Sequence, residues 1–236
     1  MKLLTLIPNF GTHQNHFLEK ILEEYSKFTK IEVDVVLFTT EDFIYSGPMN
    51  VNIVKYNDSI GTALSIEPRN YAFNNINKYD LYMHQENDTL ITEDNVLAFI
   101  EGQNKLNSEE PDAYIHGFVR YENTNNNIYL IDMHKANVHS IGKIINNKLE
   151  VDNVHQGGWI VNNNQLNILK NKNINYGTSL EDSCSNFYYS PKWPGHQQGI
   201  PKYIYKDLIS RSIIFHMPNK YSTLDSNYLT LDELIK

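Results

Sequence analysis

Two carboxylates one residue apart, Glu86 and Asp88, end the stretch "YDLYMHQEND". In extended or turn geometry both can reach one hard cation. Mg²⁺ and Mn²⁺ prefer carboxylate oxygen and often share their shell with substrate phosphates. The same triplet, Glu86-Asn87-Asp88, also suits a turn that caps the next helix, and an acid-x-acid pattern alone does not separate the two.

Other residue types in the chain could join such chemistry. Arg69-Asn70 stands at the start of a helical pattern, with sixteen residues between Arg69 and Glu86. "SLEDSCSNFYY" carries paired acids, Glu181 and Asp182, where the helix dipole alone also favours acids. His216 ends the apolar run "SRSIIFH" and is a metal ligand or a structural histidine. In "VHQGGWIV", Gly157 and Gly158 allow close backbone approach, and Trp159 offers a flat apolar face to a sugar or to the core. His13 and His16, an i, i+3 pair, are weak evidence for a metal and receive no role.

Positioning these groups requires an alternating framework. "KLLTLIP" reads as a strand, and Thr12 is expected to cap a helix in which Phe17, Ile21, Leu22, Tyr25 and Phe28 share a face. "IEVDVVLFTT" and "VNIVKYN" are strands, and "IEPRNYAFNNINKY" is a weaker helix with Pro68 in its first turn. The strand "YDLYMHQ" follows, then the amphipathic helix "EDNVLAFIEGQNKL" with Thr92 as its cap. Such alternation implies a parallel sheet covered on both faces. After about residue 110 come strands at "DAYIHGFVRYE" and "NNIYLIDMHK" around an Asn-rich turn. A hairpin is expected at Asn146-Asn147. "HQGGWIVNNNQLNILK" is expected to pass from the glycine pair into a helix, and "SRSIIFHMP" to form a late strand.

The bulk numbers narrow the function. The chain has 236 residues, 41% hydrophobic, and a net charge of −8. One domain is expected, with residues 1–108 as a nucleotide-binding half and 109–236 as an acceptor half. The negative charge argues against a nucleic-acid groove, which needs a positive stripe. A single cysteine, Cys184, permits no internal disulfide. The opening run breaks at Pro8 and is read as a strand, not a signal peptide. No segment reaches the length of a membrane span, so a cytoplasmic protein is expected. Gly-rich phosphate loops, the Gly-x-Ser-x-Gly elbow and zinc patterns are absent.

The stretch "PRNYAFNNINKYDLYMHQENDTLIT" resembles the nucleotide-sugar-dependent glycosyltransferases of the A-type fold. Many of these place an Ala-Arg-Asn step at a helix start, then an apolar strand, then an acid triplet. Here Pro68 replaces the Ala, Arg69-Asn70 matches the step and Glu86-Asn87-Asp88 takes the place of the triplet. The small Gly that commonly follows is missing.

The resemblance implies an α/β, Rossmann-like single domain with a mixed, mostly parallel central sheet flanked by helices. It implies Mn²⁺ or Mg²⁺ held by Glu86 and Asp88 against the diphosphate of a donor, with a UDP-sugar favoured, and His216 returning to the metal. Pro8, Asn9 and Thr39 would border the nucleotide, with Arg69 and Asn70 nearby. Gly157, Gly158 and Trp159 would lie near the sugar or acceptor. Asp182, or else Glu181, would be the general base that deprotonates a hydroxyl acceptor, giving inversion; such a base contributes about 10²–10⁴-fold. Retaining relatives use no such base. "YYSPKWPGHQQGIP" would form a loop over the site. Two other readings stay open: a glycosyltransferase-like carbohydrate-binding protein without catalysis, and a sugar nucleotidyltransferase, for which the basic Gly-rich loop is missing.

Overall fold

Leu3, Leu4, Leu6 and Ile7 follow one another with scarcely a polar break, so the strand they form, β1 (Lys2–Asn9), is buried on both faces. That is the signature of a central strand in a parallel sheet. The computed structural model describes residues 1–135, 144–150, 157–172, 199–223 and 227–235.

Strand β1 pairs in parallel with β2 (Glu32–Thr39) and with β4 (Leu81–Gln85), and β3 (Val51–Lys55) extends the edge beyond β2. Helix α1 (Asn15–Tyr25) buries Ile21, Leu22 and Tyr25 of the expected face, but with Leu18 in place of the half-buried Phe17, and it ends before Phe28. Its N-terminus departs from expectation. Gln14, not Thr12, stands at the cap without a side-chain hydrogen bond, and Thr12 contributes only its carbonyl, to Asn15 N at 3.1 Å. A 3₁₀ segment, Asp58–Ile66, kinks at Gly61 and leads into α2 (Glu67–Asn74), with Pro68 in the first turn. Helix α3 (Glu93–Glu109) starts at the expected cap: Thr92 and Asn95 exchange side-chain-to-backbone hydrogen bonds in a capping box.

The second part of the chain gives β5 (Thr89–Leu90) a sheet to join. Strands β6 (Ile115–His116), β7 (Val119–Thr124) and β8 (Asn127–His134) follow α3, with Asn125 and Asn126 at positive φ in the β7–β8 turn. Asn146 and Asn147 make the expected hairpin turn between β9 (Ile144–Ile145) and β10 (Lys148–Glu150).

Trp159-Ile160-Val161 does not lead directly into a helix. These residues form β11 (Gly158–Asn162), antiparallel to β4, and only then does α4 (Asn163–Asn171) begin, capped by Asn162. The β-branched and aromatic run, buried on both sides, prefers the sheet to a helix.

Strand β12 (Lys202–Tyr205), a 3₁₀ turn (Lys206–Arg211), β13 (Ile213–His216), β14 (Tyr228–Thr230) and the short α5 (Leu231–Ile235) complete the described chain.

The central sheet has the order β11-β4-β1-β2-β3: parallel except for β11. A second five-stranded sheet runs β14-β8-β7-β13-β5, and a small one runs β6-β12-β10-β9. The two sequence halves therefore interlock. Strand β11 from the later half completes the first sheet, and β5 from the earlier half joins the second, so residues 1–108 and 109–236 are not separable units. One large core unites Leu6, Ile21, Phe38, Met83, Ile160 and Ile214. Among the described residues no helix is long and apolar enough to cross a membrane.

Candidate functional site

In open α/β sheets ligands bind beyond the carboxyl ends of the strands. Here a cleft of about 530 Å³ opens at the ends of β1 and β4. Pro8 and Phe10 line it, as do Thr62, Leu64 and Ser65 of the 3₁₀ segment. The triplet Glu86-Asn87-Asp88 lines it too, with Arg120, His216, Lys220 and Tyr221.

The triplet is pinned from three strands. Glu86 N donates to Gly157 O at 2.7 Å, next to β11. Asn87 Nδ2 donates to Asn9 Oδ1 at the end of β1. Met217 N, just past β13, donates to Asp88 O at 2.9 Å. Pairing of β5 with β13 sets His216 opposite Thr89, which brings His216 to Asp88.

Asp88 is buried, and its two oxygens differ. Oδ2 accepts from Gln14 Nε2 at 3.1 Å and lies 3.6 Å from His216 Nε2. Oδ1 is buried and accepts no hydrogen bond among the described residues. Burial disfavours the carboxylate charge, but His216, Lys220 and Arg120 outweigh it and hold the carboxyl below its ordinary value.

Glu86 turns elsewhere. Its Oε2 lies 3.4 Å from Arg120 Nη1. Arg120 is itself clamped by the buried Asp132, through Nε at 3.1 Å and Nη2 at 2.8 Å. Burial would lower the Arg120 pKa, but Asp132 and Glu86 raise it, so the cation is fixed. The expected three-ligand set of Glu86, Asp88 and His216 is thus not assembled. Among the described residues no group of three or more His, Cys, Asp or Glu side chains is arranged to hold a metal ion. What remains is the pair Asp88 and His216. A carboxylate with one oxygen lacking a partner and the other 3.6 Å from an imidazole nitrogen fits a divalent cation that takes the rest of its shell from phosphate and water.

The remaining expected residues separate into those that reach the cleft and those that do not. Pro8 lines it. Asn9 is buried and holds Asn87, Gly11 O and Asn15 Oδ1, so it supports the triplet instead of facing a nucleotide. Thr39 is fully buried, its hydroxyl tied to the backbone of Glu41. Arg69 is buried in α2 and Asn70 is exposed beside Glu67, and neither lines the cleft.

Gly157 packs under the triplet at φ +63°, whereas Gly158 gives the close β11–β4 approach, where a Cβ would fall 2.2 Å from His84 O. Trp159 is 1% exposed and stacks on His84 with ring centroids 5.8 Å apart, so it is core and offers no face to a ligand. Glu181 and Asp182, and most of the loop "YYSPKWPGHQQGIP", lie outside the described residues.

Sequence reading passed over Gln14, Arg120, Glu122, Lys220 and Tyr221. One signal was available. Arg120 and Glu122 are charged residues two apart in a strand, which puts both on one face, and both prove buried.

The fold and cleft define an α/β protein with a mixed, mostly parallel central sheet and, at its carboxyl edge, a cleft lined by both acidic and basic side chains. No family model and no curated protein matches the chain. Solved structures of S. aureus TarS are similar to it. TarS 1–349 in complex with UDP-GlcNAc shares 15% identity over 94% of this chain and 62% of that one, with a TM-score of 0.49. A second crystal structure of TarS 1–349 shares 17% identity over 78% of this chain and 53% of that one, with a TM-score of 0.44. The chain spans less than two thirds of the length of these relatives.

Proposed function

We propose that this protein is a glycosyltransferase that moves a sugar from a nucleotide-diphosphate sugar to a hydroxyl-bearing acceptor. The observation that carries the reading is Asp88 on the cleft, its buried Oδ1 without a partner among the described residues and its Oδ2 3.6 Å from His216 Nε2. Together with the acid triplet after an apolar strand, it is what a diphosphate-binding cation requires.

Asp88 and His216 would hold Mn²⁺ or Mg²⁺, whose charge would stabilise the departing nucleotide diphosphate. Lys220, exposed on the cleft wall, is free to approach phosphate oxygens. Arg120 is less free: Asp132 and Glu86 fix it, so it contributes a stationary positive field. Phe10, 49% exposed, also lines the cleft and would give a flat surface for the nucleoside. Asp182, with Glu181 as the alternative, is the proposed base for the acceptor hydroxyl, which would invert the anomeric centre. A UDP-sugar is the favoured donor.

The test is calorimetric titration of UDP- and GDP-sugars into the protein with and without Mn²⁺, repeated with Asp88→Ala. Metal-dependent binding abolished by the substitution supports the reading and reports the base. No nucleotide binding in the presence of metal sinks it. Binding without any donor turnover would point to a carbohydrate-binding protein of this fold that lacks catalysis.

A further inference from the structure

We infer that Glu122 is a positioning residue of the cleft, fixing a proton of His216 on Nδ1 so that Nε2, on the Asp88 side of the ring, is the nitrogen that can give its lone pair to a cation. The inference rests on reading the cleft as a metal-dependent donor site.

Glu122 lies on β7, beside β13, and its side chain is fully buried. A buried carboxylate persists only when its oxygens are satisfied. Oε1 accepts from His216 Nδ1 at 2.6 Å and from Tyr221 N at 3.2 Å, and Oε2 accepts from Ser222 N at 2.6 Å. All three partners belong to one segment, 216–222, which also carries Lys220 and Tyr221 on the cleft wall.

An ionised carboxylate accepts only, so the imidazole nitrogen facing it must be the donor. Each Glu122 oxygen already accepts a backbone amide, from Tyr221 and from Ser222, as an acceptor-only carboxylate does. The ring has little room to turn, being 2% exposed and stacked on Tyr221 with centroids 5.1 Å apart. Nε2 therefore points to Asp88 Oδ2, at 3.6 Å.

The same strand ties down the rest of the turn. Asn123 N donates to Asn219 Oδ1 at 3.1 Å, and the hydroxyls of Thr124 and Ser222 are 2.7 Å apart. Carboxylates that receive the second ring proton of a ligating histidine set its tautomer and orientation, and their loss costs metal affinity.

Glu122→Gln separates this role from simple packing. A carboxamide has one acceptor atom and one donor group. If its oxygen serves Ser222 N, its N–H groups face Nδ1 and drive the imidazole proton to Nε2. The experiment records the ¹⁵N imidazole spectrum of metal-free protein at pH 8, with His216 assigned by its loss in His216→Gln. Mn²⁺ affinity is measured in parallel by calorimetry.

Wild type is expected in the Nδ1–H form and Glu122→Gln in the Nε2–H form, with Mn²⁺ affinity about 10–100-fold weaker. Glu122→Asp, still an acceptor-only group, should retain Nδ1–H. Wild type in the Nε2–H form, or Glu122→Gln retaining Nδ1–H, overturns the inference. If Glu122→Gln does not fold, the wild-type tautomer decides alone. Protein in the Nδ1–H form that binds no Mn²⁺ sinks the metal-dependent reading but not the role of Glu122.

Discussion

Asn87 Nδ2 donates to Asn9 Oδ1 at 2.6 Å, and both residues are buried. Asn9 can present its oxygen there because its own amide is engaged with Gly11 O at 3.2 Å and Asn15 Oδ1 at 3.1 Å. The middle of the acid triplet must therefore be a donor, which accounts for an amide between two carboxylates. Asn87→Asp would set a carboxylate against a carbonyl oxygen. We expect a loss of about 1–3 kcal/mol at pH 7.

The sign of its pH dependence follows. Burial against an acceptor raises the folded-state pKa of the new acid above its unfolded value of about 3.9. Stability is then retained below that value, where the protonated acid can donate, and is lost as pH rises through the folded pKa. Urea denaturation at pH 4 and pH 7 checks this, and an equal penalty at both would contradict the account.

Glu86 and Asp88 should behave differently although they are one residue apart. Asp88→Ala removes the carboxylate whose Oδ1 has no described partner, and should weaken Mn²⁺ binding by at least about tenfold, or about 1.4 kcal/mol. Glu86→Gln should change it by less than about threefold, since Glu86 is engaged with Arg120 at a partly exposed position. Equal losses in calorimetry would restore Glu86 as a direct ligand.

Gly157 packs closely against Glu86, Thr89 and Arg120. At φ +63°, an added Cβ would lie 3.0 Å from Glu86 Oε2, 3.1 Å from Thr89 Oγ1 and 3.2 Å from Arg120 Cδ. Gly157→Ala should cost about 1–2 kcal/mol for the left-handed backbone alone. It should also push Glu86 and Arg120 apart, so donor affinity should fall with stability. Thermal melts and nucleotide titration on the same variant read both effects.

His116 supplies a pH dependence remote from the cleft. It is fully buried, with Nε2 2.9 Å from Ser212 Oγ. Burial, helped by Lys105, pushes its pKa down to about 3, against opposing pulls from Asp207 and Glu101. Between about 3 and 6.5 the unfolded chain binds more protons, so this residue makes stability fall as pH drops. The slope approaches about 1.4 kcal/mol per pH unit. His116→Gln should flatten the difference between pH 5 and pH 7 in urea denaturation; an unchanged slope would assign it to the carboxylates.

What the sequence determined by itself was local. Continuous apolar runs read as buried strands, Thr92 and the Asn pairs fixed a helix start and two turns, and the acid triplet fell at a strand end where an α/β sheet binds ligands. These signals are carried by neighbours in the chain, where periodicity and turn chemistry act.

Only the tertiary structure decided which side chains meet. Pairing of β5 and β13 carries His216 to Asp88. The neighbouring β7 supplies Arg120 and Glu122, one turned to Glu86 and the other to His216. Trp159, Thr39 and Arg69 became interior because β11, β2 and α2 are covered by neighbours that local patterning does not specify. Residue types are written along the chain, but convergence depends on strand order and register, and those are set by burial of the whole sheet.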